Sequence, residues 1–117
     1  KKKLDSDGRV AIQVNFATDK AQILPASEPQ LAQVLELLRA DPALKLSIEG
    51  HTDNSGAAAR NRSLSEDRAA SVVAALTAKG IAADRLQAAG FGADRPVTDN
   101  GSEEGKARNR RVELVKR

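Results

Sequence analysis

The sequence predicts a two-layer α/β (α+β) sandwich, in which a mixed four-stranded sheet carries two main helices on one face. Several short stretches alternate apolar with polar side chains, which is the pattern of a strand with one buried face. Two longer stretches repeat apolar residues every three or four positions, as an amphipathic helix does. Because the strands carry polar residues at alternate positions, we expect helices to cover only one face of the sheet.

The four predicted strands are short and separated by turn-forming or helical sequence. They are expected over residues 10–16, 44–50, 85–90 and 111–115. The second strand leads directly into a polar loop that contains Asn54-Ser55-Gly56, which is turn chemistry. The predicted order of elements is strand, helix, strand, helix, strand, short helix, strand. The order of the strands within the sheet does not follow from these patterns.

The first helix is predicted to begin after Ser27. This residue is a good N-cap, Pro29 suits the first turn, and Gln30 occupies the capping-box position. Asp41-Pro42 ends the helix, because a residue before proline is disfavoured in the helical conformation.

The second helix is predicted to begin between Ala57 and Ser65 and to end at Gly80, a plausible C-cap. Leu64 does not fit the apolar stripe of this helix, which predicts a break or a cap nearby. A short third helix is predicted over residues 103–108.

The chain has 117 residues. Residues 9–117 are expected to form a single domain, and residues 1–8 a flank before it. The chain contains no cysteine, which excludes disulfides and thiolate chemistry. No apolar run is long enough to cross a bilayer. The opening KKKLDSDG is typical of an excised domain, so we expect any export signal or membrane anchor to lie in sequence outside it.

Charged and hydrogen-bonding residues are concentrated between residues 50 and 69. Asp53 supplies a negative charge and Arg68 a positive one, and Thr52 and Asn61 add neutral polar groups. A pocket built from such groups suits a small zwitterion, with the carboxylate facing an ammonium and the guanidinium facing a carboxylate. The two charges are fifteen positions apart, so only a fold that brings the loop back over the helix could join them.

Five motifs resemble the OmpA C-terminal-like family of peptidoglycan-binding domains, which includes peptidoglycan-associated lipoproteins and flagellar stator proteins. They are NFATDKAQI, IEGHTDNSG, RNRSLSEDRA, GFGADRP and NRRVEL, at residues 15–23, 48–56, 60–69, 90–96 and 109–114. The resemblance covers nearly the whole chain, in the family's order and spacing. Many members carry an aromatic residue where Ala59 or Arg60 stands, which predicts a more open wall of the site here.

The resemblance implies non-covalent binding of the diaminopimelate (DAP) in the cell-wall peptide stem. It implies that Asp53 binds the ligand's ammonium and Arg68 its carboxylate. It also places Asp19, Thr52 and Asn61 along the same site, with Arg111 near it. The domain would then anchor an outer-membrane or envelope protein to peptidoglycan from the periplasmic side of a Gram-negative envelope, tethered by a segment outside this sequence. No cofactor, metal or catalytic residue is expected, and other envelope proteins are further candidate partners.

Several of these residues have ordinary structural explanations. Asp53 and Asp19 could serve in turns, Arg68 could be a surface side chain, and Asn61 could cap a helix. His51 is expected to point away from the helices in a structural or rim role. Strand alternation sends Arg110 and Arg111 in opposite directions, so one is expected to support the site and the other to be solvated.

Two other classes of function fit the sequence less well. An enzyme would need a metal triad such as His51, Asp53 and Asp19, or a pair of catalytic carboxylates, but no H-E-x-x-H or nucleophile motif accompanies them. The net charge of +3 raises nucleic acid as a partner, yet an aromatic content of 2% leaves little for base stacking. The sequence therefore favours a binding domain with no nucleic-acid partner.

Overall fold

The computed structural model describes residues 8–12, 14, 16, 22–54, 57–94 and 101–117. Its strands are β1 (Arg9–Ile12), β2 (Leu46–His51), β3 (Leu86–Gly90) and β4 (Arg111–Lys116). They form one sheet in the order β1-β4-β2-β3, in which β4 is antiparallel to both β1 and β2 while β2 and β3 are parallel. The predicted mixed four-stranded sheet is confirmed. Of its two interior strands, β4 is the last strand of the sequence.

The helices in the described part of the chain are α1 (Glu28–Ala40), α2 (Ala58–Ala78) and the short α3 (Glu103–Asn109). Single 3-10 turns at Pro25–Ser27 and Ala83–Arg85 precede α1 and β3. The buried apolar side chains form one cluster between the long helices and the sheet. Its fully buried members include Leu38 of α1, Val72 and Leu76 of α2, and Leu46 and Ile48 of β2. Because alternate residues of β2 and β4 point into this cluster, the long helices lie on one face of the sheet.

Helix α1 begins where the sequence predicts, but its first turn is capped differently. Ser27 is at the N-cap position with φ −93° and ψ 0°, and its side chain makes no capping hydrogen bond. An N-cap residue normally has extended backbone angles, which let its hydroxyl reach the third residue of the helix. Here the preceding 3-10 turn already gives Ser27 helical angles, so the predicted capping box does not form.

Helix α2 is continuous through Leu64, so the predicted break is wrong. Leu64 is 8% exposed although it is not a member of the main core cluster. This part of the helix therefore has a second buried side, in addition to the side that faces the cluster. The helix ends at Ala78 with Lys79 as its C-cap, so the predicted Gly80 lies one residue past the cap. The amide of Gly80 donates to Thr77 and that of Ile81 to Leu76, the hydrogen-bond pair that closes a helix on a glycine with positive φ, here +103°.

Helix α2 lies unusually close to β2. A Cβ added to Gly50 would overlap the backbone carbonyl of Ser65, and one added to Gly90 would overlap the backbone of Glu66. The absence of side chains at these two strand positions therefore sets the separation between the helix and the carboxyl ends of the parallel strands. His51, which follows Gly50, points to the opposite face of the sheet, as predicted.

The first strand is shorter than its alternating pattern predicts. β1 ends at Ile12, and Phe16 instead forms an isolated bridge with Ile23. Within the described residues, no helix combines the length and the apolar character needed to span a membrane.

Candidate ligand-binding site

The candidate site begins where β2 ends. The next two residues, Thr52 and Asp53, are each 6% exposed. The amide of Thr52 donates to the carbonyl of Gly92 at 2.8 Å, and its hydroxyl donates to the carbonyl of Asp53 at 2.8 Å. Gly92 follows β3, and the carboxyl ends of β2 and β3 meet at one sheet edge because the strands are parallel. The loop that carries Asp53 is therefore fixed to its neighbour.

The first turns of α2 hold the same two loops. The side-chain amide of Asn61 donates to the carbonyl of Asp53 at 3.4 Å. The hydroxyl of Ser65 accepts from the amide of Gly92 at 2.9 Å and donates to the carbonyl of Arg62 at 2.8 Å. Asn61 and Ser65 are one turn apart, so they face the loops from one side of the helix. Asn61 thus joins helix and loop rather than capping a helix end.

Arg68 lies on the same face of α2 as Asn61. Seven residues are almost two helical turns, so the Cα atoms are separated by about 10 Å along the axis. Long side chains in a helix lean toward its N-terminus, which directs Arg68 toward Asn61 and the Asp53 loop. The guanidinium carbon of Arg68 is 4.8 Å from the ring centroid of Phe16. This cation–π contact orients the charge of a partly buried side chain.

The carboxylate of Asp53 accepts a hydrogen bond from the guanidinium of Arg110, which comes from the end of α3. The side chain of Arg110 is 45% exposed, whereas that of Asp53 is 9% exposed. An inward-facing carboxylate is therefore covered by a side chain that can move into solvent. Arg110 is the site residue that the sequence did not single out.

The side chain of Arg111 has a different environment from that of Arg110. Its side chain is 4% exposed, with Nε donating to Glu113 at 2.6 Å and Nη1 donating to the carbonyl of Asn109 at 3.1 Å. It lies on the sheet face opposite the long helices, because Val112 points into the core. The prediction that one of the two arginines is solvated agrees with the exposure of Arg110, yet the exposed one is the arginine that contacts Asp53.

The structure thus brings together part of the predicted set. Thr52, Asp53 and Asn61 meet around one loop, and Arg68 shares the helix face of Asn61. Arg111 reaches this region through the backbone of Asn109, next to Arg110. Asp19 lies outside the described residues. Which of Arg110 and Arg111 faces Asp53 depends on the residue at which β4 begins. The alternating pattern of the sequence does not identify that residue.

A second group of polar residues lies on the sheet face away from the long helices. We call Arg9, Glu49, His51, Arg111 and Glu113 the sheet-face cluster. Four of them are only 4–7% exposed, Arg9 being the exception. Arg9 Nη1 is 2.6 Å from Glu113 Oε1, and His51 stacks on Phe91 with centroids 5.5 Å apart. Helices cover one face as predicted, but the polar residues of the other face are largely removed from water as well.

The cluster changes the acidity of Glu113. Burial acts to raise the pKa of its carboxyl, but the hydrogen bond and charge of Arg111, the hydrogen bond of Arg9 and the charge of His51 act in the opposite direction. The arginines prevail, and the pKa of Glu113 lies below its usual value. Glu113 is therefore an anion in the folded protein at neutral pH.

A mixed sheet backed by two helices, with charged side chains at the carboxyl ends of its parallel strands, defines a small α+β domain. Residues 15–110 match the OmpA family, and the chain belongs to that family. The predicted family is confirmed.

Named relatives support the assignment. The chain is 39% identical over 102 residues to the peptidoglycan-binding protein ArfA of Mycobacterium tuberculosis, covering 87% of this chain and 31% of ArfA. The peptidoglycan-associated lipoprotein of Burkholderia pseudomallei superposes with a TM-score of 0.78 at 26% identity, covering 96% of this chain and 92% of that one. The cell-wall anchor of the type VI secretion system (T6SS) of Pseudomonas aeruginosa gives 0.78 at 29% identity, covering 98% and 91%.

Proposed function

We propose that this domain binds peptidoglycan non-covalently through the DAP of the stem peptide and anchors an envelope protein to the cell wall. The observation that carries the proposal is the Asp53 carboxylate, which is 9% exposed and is covered by the half-exposed guanidinium of Arg110, on a loop that Asn61 of α2 holds through the backbone carbonyl of Asp53. The family relatives add support, since ArfA is named a peptidoglycan-binding protein and the T6SS structure is described as a cell-wall anchor.

The chemistry of the ligand matches the charges available. The free end of the DAP side chain carries an ammonium and a carboxylate on one carbon. In our proposal Asp53 accepts from the ammonium, and Arg68 grips the carboxylate through two parallel hydrogen bonds. A stem that has lysine in place of DAP keeps the ammonium but lacks the carboxylate. Arg68 would then have no ligand carboxylate to bind, which discriminates between the two wall types.

We propose that Arg110 is the partner of Asp53 when no ligand is bound. Its guanidinium neutralises Asp53 in the absence of ligand, and the ligand's ammonium takes its place on binding. The side chain of Arg110 is 45% exposed and can be hydrated when it leaves, and Asp53 keeps a cationic partner because the ligand's ammonium replaces the guanidinium. Thr52, Asn61 and Asp19 line the site in this proposal. Arg111 contributes indirectly, because its Nη1 donates to the carbonyl of Asn109, the residue that precedes Arg110.

The proposed role is binding rather than catalysis. The contact area with one amino-acid head group is small, so we expect micromolar or weaker affinity for a single stem. Tethering and the repeating lattice of the wall would supply avidity. The chain spans 31% of the length of ArfA, and we propose that a further segment of the full polypeptide holds the domain at the periplasmic side of the envelope.

The test is sedimentation of the domain with purified DAP-type and lysine-type sacculi. Asp53→Ala and Arg68→Ala should each weaken binding to DAP-type sacculi by about 2–5 kcal/mol, as expected when one partner of a buried charge pair is removed. Arg39→Ala is the matched control, because it removes an exposed guanidinium that bonds the carbonyl of Lys79 at 3.0 Å. Retention of the Asp53 and Arg68 variants at wild-type levels would refute the site.

Calorimetric titration with stem peptides separates the two charges. Amidating the side-chain carboxylate of DAP should reduce affinity for the wild-type domain and have little effect on Arg68→Ala, which has already lost the partner group. Equal losses in the two proteins would show that the carboxylate is recognised elsewhere.

A further inference from the structure

We propose that Glu49, His51 and Glu113 form a binding site for a divalent transition-metal ion, with Zn²⁺ the best match, in which the metal replaces the guanidinium of Arg9. The site lies within the sheet-face cluster, and none of its three ligands is among the residues proposed to bind the cell wall, although the neighbouring Arg111 supports both sites. It would add a metal-dependent stabilisation to the domain.

The ligand atoms already converge. One atom from each of the three residues lies within 4.8 Å of the others. His51 Nε2 is 3.7 Å from Glu49 Oε1 and 3.9 Å from Glu113 Oε2. Tetrahedral zinc with ordinary bond lengths holds its ligand atoms about 3.3–3.5 Å apart. The observed separations, which reach 4.8 Å, exceed this spacing by up to about 1.4 Å, so side-chain movements of roughly an ångström would bring the imidazole and both carboxylates to coordinating positions.

The sheet register favours a cation at this position. Glu49 and Glu113 are direct partners across β2 and β4, and like charges in directly opposed positions repel. Glu49 is 7% exposed, and its Oε1 is buried without a hydrogen bond among the described residues. This is the same oxygen that faces His51 Nε2. A buried anionic oxygen that lacks a donor is a position where a metal ion gains binding energy.

Arg9 marks the place that the ion would take. Its Nη1 is 2.6 Å from Glu113 Oε1 and 3.7 Å from Glu49 Oε1, so one positively charged nitrogen already lies between the two carboxylates. The side chain of Arg9 is 47% exposed and belongs to the edge strand β1. It can turn into solvent, whereas the 4% exposed Arg111 stays on Glu113 and orients that carboxylate from outside.

The donor set selects the kind of ion. One imidazole and two carboxylates suit zinc and cobalt, while Mg²⁺ favours six oxygen ligands in an octahedron. The stacking of His51 on Phe91, with ring planes 18° apart, fixes the plane of the imidazole. His51 is the only histidine in the chain and there is no cysteine. Tight zinc binding by this chain should therefore depend on His51.

The test uses the domain purified without a histidine tag and stripped with a chelator, then titrated with ZnCl₂ by calorimetry and by thermal unfolding. We expect one saturable equivalent, a higher melting temperature, and visible absorption bands of tetrahedral geometry when Co²⁺ replaces zinc. Glu49→Gln and His51→Gln should weaken zinc binding about tenfold or more. Arg9→Gln should strengthen it, because the competing cation is removed.

Arg62→Gln is the control, since it breaks only an exposed ion pair with Asp94, at 3.1 Å in the wild type. Circular dichroism of the metal-free variants establishes that each one is folded. If Glu49→Gln or His51→Gln does not fold, the Arg9→Gln variant decides the matter. The proposal is overturned if the wild type shows no saturable zinc binding, if Arg9→Gln binds zinc more weakly, or if a folded Glu49→Gln or His51→Gln binds as tightly as wild type.

Discussion

Two neighbouring residues, Arg110 and Arg111, have opposite environments. Arg110 is half exposed and hydrogen-bonds Asp53, while Arg111 is buried against Glu113. They separate because β4 begins at Arg111, so consecutive side chains leave on opposite sides of the backbone. A single-residue shift of this strand start would exchange their roles. The function of an arginine near a strand end is thus decided by the register of the strand.

Glu113 should make the stability of the domain depend on pH. Its pKa is lowered in the folded state, so its contribution to stability is fully present above the ordinary glutamate pKa of about 4.3 and is lost as pH falls through the lower folded value. Urea unfolding between about pH 6 and pH 3, with a chelator present, measures the effect. The Glu113→Gln variant should be less stable near neutral pH and lose less stability on acidification.

Glu28→Gln is a matched control, because Glu28 is an exposed glutamate in the first turn of α1. It should follow the wild-type pH dependence closely. If Glu113→Gln shows the same acid-induced loss as wild type, the pairing with Arg9 and Arg111 does not contribute to acid sensitivity.

At the scale of elements, Arg85 fastens the end of α1 to the start of β3. Its guanidinium donates to the carbonyls of Leu38 at 2.7 Å, Asp41 at 2.8 Å and Leu44 at 3.1 Å. The last carbonyls of a helix have no partner within the helix, and a positive charge is favourable there. One side chain thereby satisfies three backbone groups around the turn that follows α1.

Removing this clamp should be costly. Arg85→Ala leaves those carbonyls without their charged donor, and we expect a loss of about 2–3 kcal/mol in the free energy of unfolding. Arg85→Lys keeps the charge but not the fork of donors, so it should recover only part of the loss. Urea denaturation of the three proteins measures both effects. An Arg85→Lys variant as stable as wild type would show that charge alone suffices.

The elements themselves were largely predictable, because hydrophobic periodicity is a local property. The positions of α1, α2 and the four strands follow the sequence pattern to within a few residues. The predictions failed where contacts with another part of the fold changed the environment of a residue. Leu64 appeared to interrupt α2 because a one-sided helix was assumed, whereas the structure buries this segment on a second side.

At the scale of the whole molecule, the fold depends on its last strand. β4 is central in the sheet, and its partners are the first strand of the chain and β2. Residues about a hundred positions apart must therefore meet before the sheet is complete, which is typical of folds with many long-range contacts.

A chain that ends after Arg110 should lose cooperative unfolding, although only the residues from Arg111 onward are missing. Without β4, the edge strand β1 has no partner in the described sheet, and the core loses Val112 and Leu114. A chain that ends after Lys116 is the control, because it retains the strand and loses only the hydrogen bond from Arg117 to Lys45. Thermal unfolding followed by circular dichroism distinguishes them. A sharp transition in the shorter chain would contradict the central role of β4.

The sequence by itself determined the type of each element, the two-layer architecture, the family, and the concentration of charged groups between Gly50 and Arg68. These follow from periodicity and from motifs, which are carried by residues close together in the chain. The tertiary structure alone decided the strand order, the pairing of Asp53 with Arg110, and the meeting of Glu49 with Glu113. Such contacts join residues more than fifty positions apart, and their geometry depends on strand register, which no local pattern encodes.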